Sequence, residues 1–336
     1  MFLPSCVSRV ADQAARGISP SYDEARQLTN IIASADEKTA QAIFDVAATI
    51  RQTHFGNTTG LCAIINAKSG RCGEDCAFCA QSRHYPEANS PDYPLIDAET
   101  VETAARTMKA AGVNRFSIVT SGLGPSPSEF KRLLELIRTI RQIGLLADAS
   151  IGLVDAERLQ RMKQAGLVGY HHNLETSRRF FPSICTTHDY EDDVQVVRQA
   201  VNAGLYVCSG GIFGLGETWQ DRLDLAHTLE ELGVHSVPVN FLHPIPGTPL
   251  AKRPLLTRLE AGKIIALYRL ILPTKHLRVC GGRGDVYGSD TVGPISHGAS
   301  GLMVGDYLTT KGSALERDID QLSKAGLQPE PSVLGS

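Results

Sequence analysis

Three cysteines carry the clearest chemical signal in the chain. Cys72, Cys76 and Cys79 stand together in the run SGRCGEDCAFCAQS. A Cys-x3-Cys-x2-Cys loop can fold three thiolates around one soft metal centre, and Gly73 gives the backbone room to wrap. The count of three matters. A structural zinc ion takes a fourth protein ligand to close its tetrahedron, and the next histidine is His84, five residues after Cys79. A four-iron cluster held by only three cysteines instead leaves one iron open to a small molecule. Spacing alone leaves both readings standing.

The remaining cysteines are scattered: Cys6, Cys62, Cys185, Cys208 and Cys280, of eight in all. An even count could suggest disulfides, but the chain reads as cytosolic, where thiols are more often metal ligands, catalytic groups or small buried hydrophobes. Its first residues, MFLPSCVSRVADQ, are too short an apolar stretch and too soon charged for a secretory signal. The 336 residues are 42% hydrophobic and 21% charged, with 33 Lys+Arg against 36 Asp+Glu for a net charge of -3. That composition excludes collagen-like and disordered classes and disfavours a nucleic-acid partner. No apolar run approaches the ~18 residues of a membrane span, so no membrane partner is expected.

The elements that must position these thiols follow a rhythm. From about residue 97 an amphipathic helix, a glycine and a short β-branched run recur. Val101, Ala104, Ala105 and Met108 keep helical spacing up to Gly112, and RFSIVTS follows as a strand. The same phrase leads through Gly144 to LLADASIG, through Gly166 to LVGYHHNLE, through Gly204 to LYVCSGGIFG and through Gly233 to SVPVNFL. Each glycine falls where a helix end needs a left-handed residue. With LCAIIN in front and LRVCGG and GLMVGD behind, eight strand candidates predict an α/β fold, a (β/α)8 TIM-type barrel; a doubly wound open sheet is the runner-up. Residues 1–58 form an N-terminal helical extension with two helices, one opened by a capping box at Ser21–Glu24 and one carrying Ile43, Phe44, Ala47 and Ile50. Residues 59–328 form the barrel and 329–336 a tail. Barrel chemistry sits at the C-terminal strand ends, and the cysteine loop directly follows the first strand.

In this setting the loop, with Phe78 just before its third cysteine, resembles the signature of the radical S-adenosylmethionine enzymes. The resemblance implies that Cys72, Cys76 and Cys79 hold a 4Fe-4S cluster whose open iron binds the amino and carboxylate groups of S-adenosylmethionine. Further runs, YHHNLETS, VCSGGIFGLGET, VPVNFL, PIPGTPL and RVCGGRG, are similar to the biotin synthases from about residue 60 to 310. That family inserts sulfur between two unactivated carbons of dethiobiotin, using 5'-deoxyadenosyl radicals and an auxiliary iron-sulfur cluster as sulfur donor. The resemblance implies that Gly210, Gly211, Gly214, Gly216 and Glu217 line S-adenosylmethionine. Ser121 and Gly122 would lie near its amino group, and Asn173 and Glu175 would contact ribose and dethiobiotin, Asp being more usual at 175. Asn240 would bind the ureido ring, to which an amide offers both donor and acceptor. His171 and His172 read as hydrogen-bonded packing rather than metal ligands.

Two departures stand out. The best-known members hold a 2Fe-2S cluster with three cysteines and an arginine on different strands, and alignment puts Ser117 and Asp148 at two of the cysteine positions. Cys208 and Arg278 keep the other two. Serine and carboxylate are poor substitutes for thiolate on iron, so the auxiliary cluster is expected to be ligated differently, by Cys208 and Cys280 with Cys185 or Cys62, and could be of higher nuclearity. Asp193 stands where the family carries an arginine for the methionyl carboxylate. Cys6 has no expected role. The resemblance further implies a homodimer and an electron donor such as flavodoxin or ferredoxin. The alternatives are a related barrel enzyme, a hydrogenase-cluster maturase or methylornithine-forming mutase, and a non-catalytic iron-sulfur scaffold.

Overall fold

Three helices precede the first strand: α1 (Ser5–Ala15), α2 (Tyr22–Ser34) and α3 (Glu37–Phe55). These come from a computed structural model that describes residues 3–306, 308 and 315–331. Ser21 and Glu24 form the expected reciprocal box at the start of α2, and the Asp36 side chain caps α3. The third helix, α1, was not expected. It begins at Pro4 with no side-chain cap, so it lacks the usual start signal, yet Val7, Val10 and Ala14 bury one face. The extension has a packing purpose. It covers a barrel helix that is apolar nearly all round, and Lys263 of that helix donates to the Ala33 and Ala35 carbonyls at the end of α2.

The strands are β1 (Thr58–Lys68), β2 (Arg115–Thr120), β3 (Leu146–Ser150), β4 (Leu167–His171), β5 (Tyr206–Cys208), β6 (Gly211–Phe213), β7 (Ser236–Phe241), β8 (His276–Val279), β9 (Gly301–Met303) and β10 (Gln328–Pro329). β1 pairs in parallel with β2, and the ladder continues through β3, β4, β5, β7, β8 and β9. β9 returns to β1 with Gly60 opposite Gly301, which closes the barrel and excludes the open sheet. The fifth stave is broken. β5 and β6 both pair with β7, and the chain between them contains Gly210, where a Cβ would run into the Pro238 carbonyl oxygen.

Helices α4 (Ala98–Ala110), α5 (Pro127–Ile143), α6 (Ala156–Gln164), α7 (Tyr190–Asn202), α8 (Trp219–Glu231) and α9 (Arg258–Ile271) form the outer layer. Each of the five predicted turn glycines has positive φ, from +67° at Gly204 to +103° at Gly166, the region only glycine enters without cost. The base of the barrel is closed by the chain beyond α9. β10 adds to the start of β1, and Glu330 reaches beneath the barrel, 3.3 Å from the His276 ring and 3.8 Å from Arg278. The expected boundary between barrel and tail therefore falls inside this closure, while residues 332–336 lie outside the described residues.

Candidate active site

The cysteine loop leaves β1 at the C-terminal mouth of the barrel and is tied by its own backbone. Cys72 N donates to Gln81 O at 3.0 Å, Arg83 N returns to Cys72 O at 2.9 Å, and Cys79 N donates to Cys76 O at 2.9 Å. Across the mouth, Ala77 N donates to Ile184 O at 2.8 Å and Thr186 N donates to the Asp75 carboxylate at 2.8 Å. The three cysteines line one side of a cavity of about 420 Å3. His84, the zinc alternative's fourth ligand, instead places its ring nitrogen 2.9 Å from the Gly73 carbonyl oxygen. Burial pushes the Cys79 thiol up to about 11, and contact with Cys185 together with burial holds Cys76 well above the ordinary thiol range. Thiolates here need a cationic centre to stabilise them.

Opposite the loop stand Asn173 and Glu175, both lining the cavity with Ser121, Gly122 and Asn240. Glu175 has φ +62°, and its carbonyl accepts from Ile212 N at 2.9 Å. The turn thus pins the YHHNLET run to the broken fifth stave at some conformational cost. Asn173 Nδ2 donates to Glu175 at 3.3 Å, while Asn173 Oδ1 accepts from Gly210 N at 3.2 Å. Burial raises the Glu175 carboxyl to about 8, so it is a hydrogen-bond donor at neutral pH. Both ends of the Asn240 amide are engaged by backbone: Nδ2 donates to Gly211 O at 3.1 Å and Oδ1 accepts from Gly281 N at 2.9 Å. Ser121 Oγ donates to Gly70 O at 2.8 Å.

Gly210, Gly211, Gly214, Gly216 and Glu217 stand outside the cavity lining. A Cβ at Gly210 would strike the Pro238 carbonyl and one at Gly211 the Glu175 carbonyl, whereas at Gly214 and Gly216 it would meet the Leu256 and Arg253 side chains. The buried Glu217 carboxylate accepts from Gly214 N at 3.0 Å, Gly216 N at 3.1 Å and Arg222 Nε at 2.8 Å. It fixes the loop that carries cavity-lining Ile212. His171 and His172 are hydrogen-bonded as expected, to Asn173 at 3.0 Å and Asp193 at 2.7 Å. Asp193 is buried and also faces His188 Nε2 at 3.3 Å. Sequence reasoning missed His188, although it follows Cys185 by only three residues.

Below the cavity, thiols from three strands meet. Cys62 on β1, Cys208 on β5 and Cys280 just after β8 are near enough to one another and to Arg278 to influence each other's titration. The Cys280 thiol and then the Arg278 guanidinium hold Cys62 down to about 7 against its burial. Burial pushes Cys208 up to about 12. Cys280 also lines the cavity floor. Cys185 is not in this group; its sulfur lies at the mouth, 3.8 Å from Cys76 Sγ. Asp148 is taken by Arg115, which clasps it with two hydrogen bonds of 2.8 Å. Among the described residues, Ser117 Oγ and Arg278 Nη1 are buried without a hydrogen-bond partner.

Two family models match in sequence order, the Radical SAM superfamily over residues 67–229 and the Biotin and Thiamin Synthesis associated domain over 238–328. The chain is 48% identical over 320 residues to the biotin synthase of Geobacter sulfurreducens, spanning 95% of this chain and 96% of that one. With the biotin synthase of Syntrophotalea carbinolica it shares 50% identity over 286 residues, 84% of this chain and 87% of the relative. The chain belongs to the biotin synthase family. Its barrel also resembles that of methylornithine synthase, with a TM-score of 0.83 at 20% identity over 96% of this chain and 98% of the other. That likeness speaks to fold alone. Biotin synthases work with a 4Fe-4S cluster and S-adenosylmethionine, together with an auxiliary iron-sulfur cluster. The donor sets fit both groups. Three thiols line the open mouth, and three more with an unpaired guanidinium nitrogen lie beneath it.

Proposed function

We propose that this chain converts dethiobiotin to biotin by radical sulfur insertion, with S-adenosylmethionine as co-substrate. The observation that carries the reading is the stacking of two thiol groups, Cys72, Cys76 and Cys79 above the cavity and Cys62, Cys208 and Cys280 below it. The upper cluster with S-adenosylmethionine supplies the 5'-deoxyadenosyl radical, and the lower one supplies sulfur. The residues between them do the positioning. Asn173 and neutral Glu175 offer hydrogen bonds to ribose and substrate, Ser121 and Gly122 face the mouth by the cysteine loop, and Asn240 stands near the floor beside Gly281. Cys62, Cys208, Cys280 and Arg278 are the proposed ligands of the auxiliary cluster, and Cys185 is excluded from that set by its place at the mouth. An electron carrier of the flavodoxin or ferredoxin class and a homodimeric state complete the reading, on the family resemblance. No described helix is long and apolar enough to cross a membrane.

Incubation of the reconstituted enzyme with dethiobiotin, S-adenosylmethionine and dithionite under argon tests the activity. Biotin should form alongside 5'-deoxyadenosine. Deoxyadenosine without biotin would mean another substrate, and no cleavage of S-adenosylmethionine would mean a scaffold protein. For the ligands, iron and sulfide counting with Mössbauer spectroscopy on the Cys72→Ala/Cys76→Ala/Cys79→Ala variant should find an auxiliary cluster, lost on adding Cys62→Ala, Cys208→Ala or Cys280→Ala. Iron no higher than background before those additions would sink the assignment.

A further inference from the structure

Beside the cysteine loop, Glu74, Cys185 and His188 bring a carboxylate oxygen, a sulfur and a ring nitrogen within 4.8 Å of one another. The proposed reaction uses none of them. Cys185 Sγ lies 3.8 Å from Cys76 Sγ and 3.3 Å from His188 Nδ1, and that nitrogen lies 2.7 Å from Glu74 Oε2. An ion with tetrahedral bonds of about 2.3 Å to sulfur and about 2.1 Å to nitrogen and oxygen has donor-to-donor edges of about 3.8 Å for S–S, 3.6 Å for S–N and 3.4 Å for N–O. The second edge, from Cys185 to His188, is therefore close to the right length. The third requires the carboxylate to withdraw by less than an ångström.

The far side of the imidazole supplies an independent sign. His188 Nε2 faces Asp193 Oδ2 at 3.3 Å, and Asp193 is buried and held in turn by His172 Nε2 at 2.7 Å. A carboxylate behind a histidine is the outer partner that fixes ring orientation and tautomer at metal centres. Glu74 is oriented as well, accepting from Thr187 Oγ1 at 2.7 Å. The side chains of His188 and Glu74 are only 11% and 13% exposed, so the donors are held out of bulk water and need little ordering.

The geometry points to a second metal site: a thiophilic divalent cation of the Fe2+ or Zn2+ class is held by Cys185, His188 and Glu74, with Asp193 behind the histidine and the remaining coordination filled by water. Binding releases to solvent the proton that His188 Nδ1 shares with Cys185 Sγ and Glu74 Oε2, and oxidises nothing. Cys76 Sγ lies 3.8 Å from Cys185 Sγ, so the ion sits beside the radical cluster, a consequence that rests on the reading of Cys76 as a cluster ligand. The ion site itself does not depend on that reading.

The test uses the full chain, stripped of metal under argon and carrying Cys72→Ala/Cys79→Ala/Cys208→Ala/Cys280→Ala, which removes both proposed cluster sites but keeps Cys185. Titration with Co2+ should give one equivalent with thiolate charge-transfer absorption and the strong visible bands of tetrahedral cobalt, displaced by Zn2+ and by Fe2+. Adding Cys185→Ala or His188→Ala should weaken Co2+ binding by about 100-fold or more. Asp193→Asn, which touches no donor atom directly, should weaken it by about 10-fold, with circular dichroism confirming the fold of each variant. An absent tetrahedral spectrum would overturn the proposal, as would one that Cys185→Ala leaves unchanged. Neither result depends on cleavage of S-adenosylmethionine, so failure here is separable from failure of the proposed activity.

Discussion

The family resemblance puts Asp148 where better-known biotin synthases carry a cluster cysteine, and in the structure its carboxylate is paired with Arg115. The clasp is bidentate, and the two side chains are 14% and 9% exposed. Replacing Asp148 by Asn keeps the shape and removes the charge, leaving the Arg115 guanidinium in the interior with the Tyr206 ring 4.0 Å away. Removing one partner of a buried ion pair costs about 3–5 kcal/mol. For 336 residues at about 2.1 cal/mol/K of unfolding entropy each, that corresponds to a Tm lowered by about 4–7 °C. The assay pairs thermal melting of the cluster-free chain with iron and sulfide counts on the chain lacking the three loop cysteines. Asp148→Asn should lower Tm and leave auxiliary iron unchanged, whereas Cys208→Ala should remove the iron. Loss of auxiliary iron with an unmoved Tm would refute the reasoning, because it would make Asp148 a ligand rather than the counterion of Arg115.

Other outcomes follow from the same geometry. Glu175 holds its proton in the folded chain up to about pH 8, against an ordinary 4.5 when unfolded, so folding stability falls as pH rises through that window. Glu175→Gln should flatten this slope and gain about 1–4 kcal/mol at pH 9 in urea melts; an unchanged slope would assign the pH dependence elsewhere. Gly210→Ala drives a Cβ into the Pro238 carbonyl and should cost about 1–3 kcal/mol, read as a lower urea midpoint. Glu217→Gln breaks the buried pair with Arg222 and should loosen residues 210–218, seen as faster amide exchange at Gly214 and Gly216 with little change in S-adenosylmethionine affinity. A large affinity loss without faster exchange would instead make Glu217 a direct contact.

What was legible in the sequence was whatever local chemistry controls. The helix, glycine, strand phrase marks five of the eight staves because each turn glycine must adopt positive φ, and Ser21 with Glu24 announces α2 because the box is made within four residues. Helix α1 has only a buried stripe and no cap, so nothing local marks its start. The glycines of residues 210–216 signalled a close approach, but residue type cannot say whether a ligand or the Pro238 and Glu175 backbone is approached. Contacts across the barrel were hidden for a different reason. Arg115 and Asp148 meet through neighbouring strands 33 residues apart, and Cys76 meets Cys185 across 109 residues. Strand alternation shows which face a side chain takes, but not which partner closes on it.

The departures at Ser117 and Asp148 are then two parts of one rearrangement. In the better-known members the thiolates would come from β2, β3 and β5, facing the arginine on β8. Here β2 and β3 are committed to the Arg115–Asp148 pair, a charge-neutral clasp with no free donor for iron. The thiols have moved to β1 and to the end of β8, the two neighbours of β9. Cys208 on β5 is the thiol common to both arrangements. On the proposed ligands, the cluster's centre would lie toward the β8–β9–β1 side of the interior. Cys280 lines the cavity floor, so the shift also brings a ligand thiol to the surface the substrate meets. The lost cysteines and the gained ones are therefore coupled, since a cluster at the new position needs Cys62 and Cys280 and leaves β2 and β3 free to be closed by an ion pair.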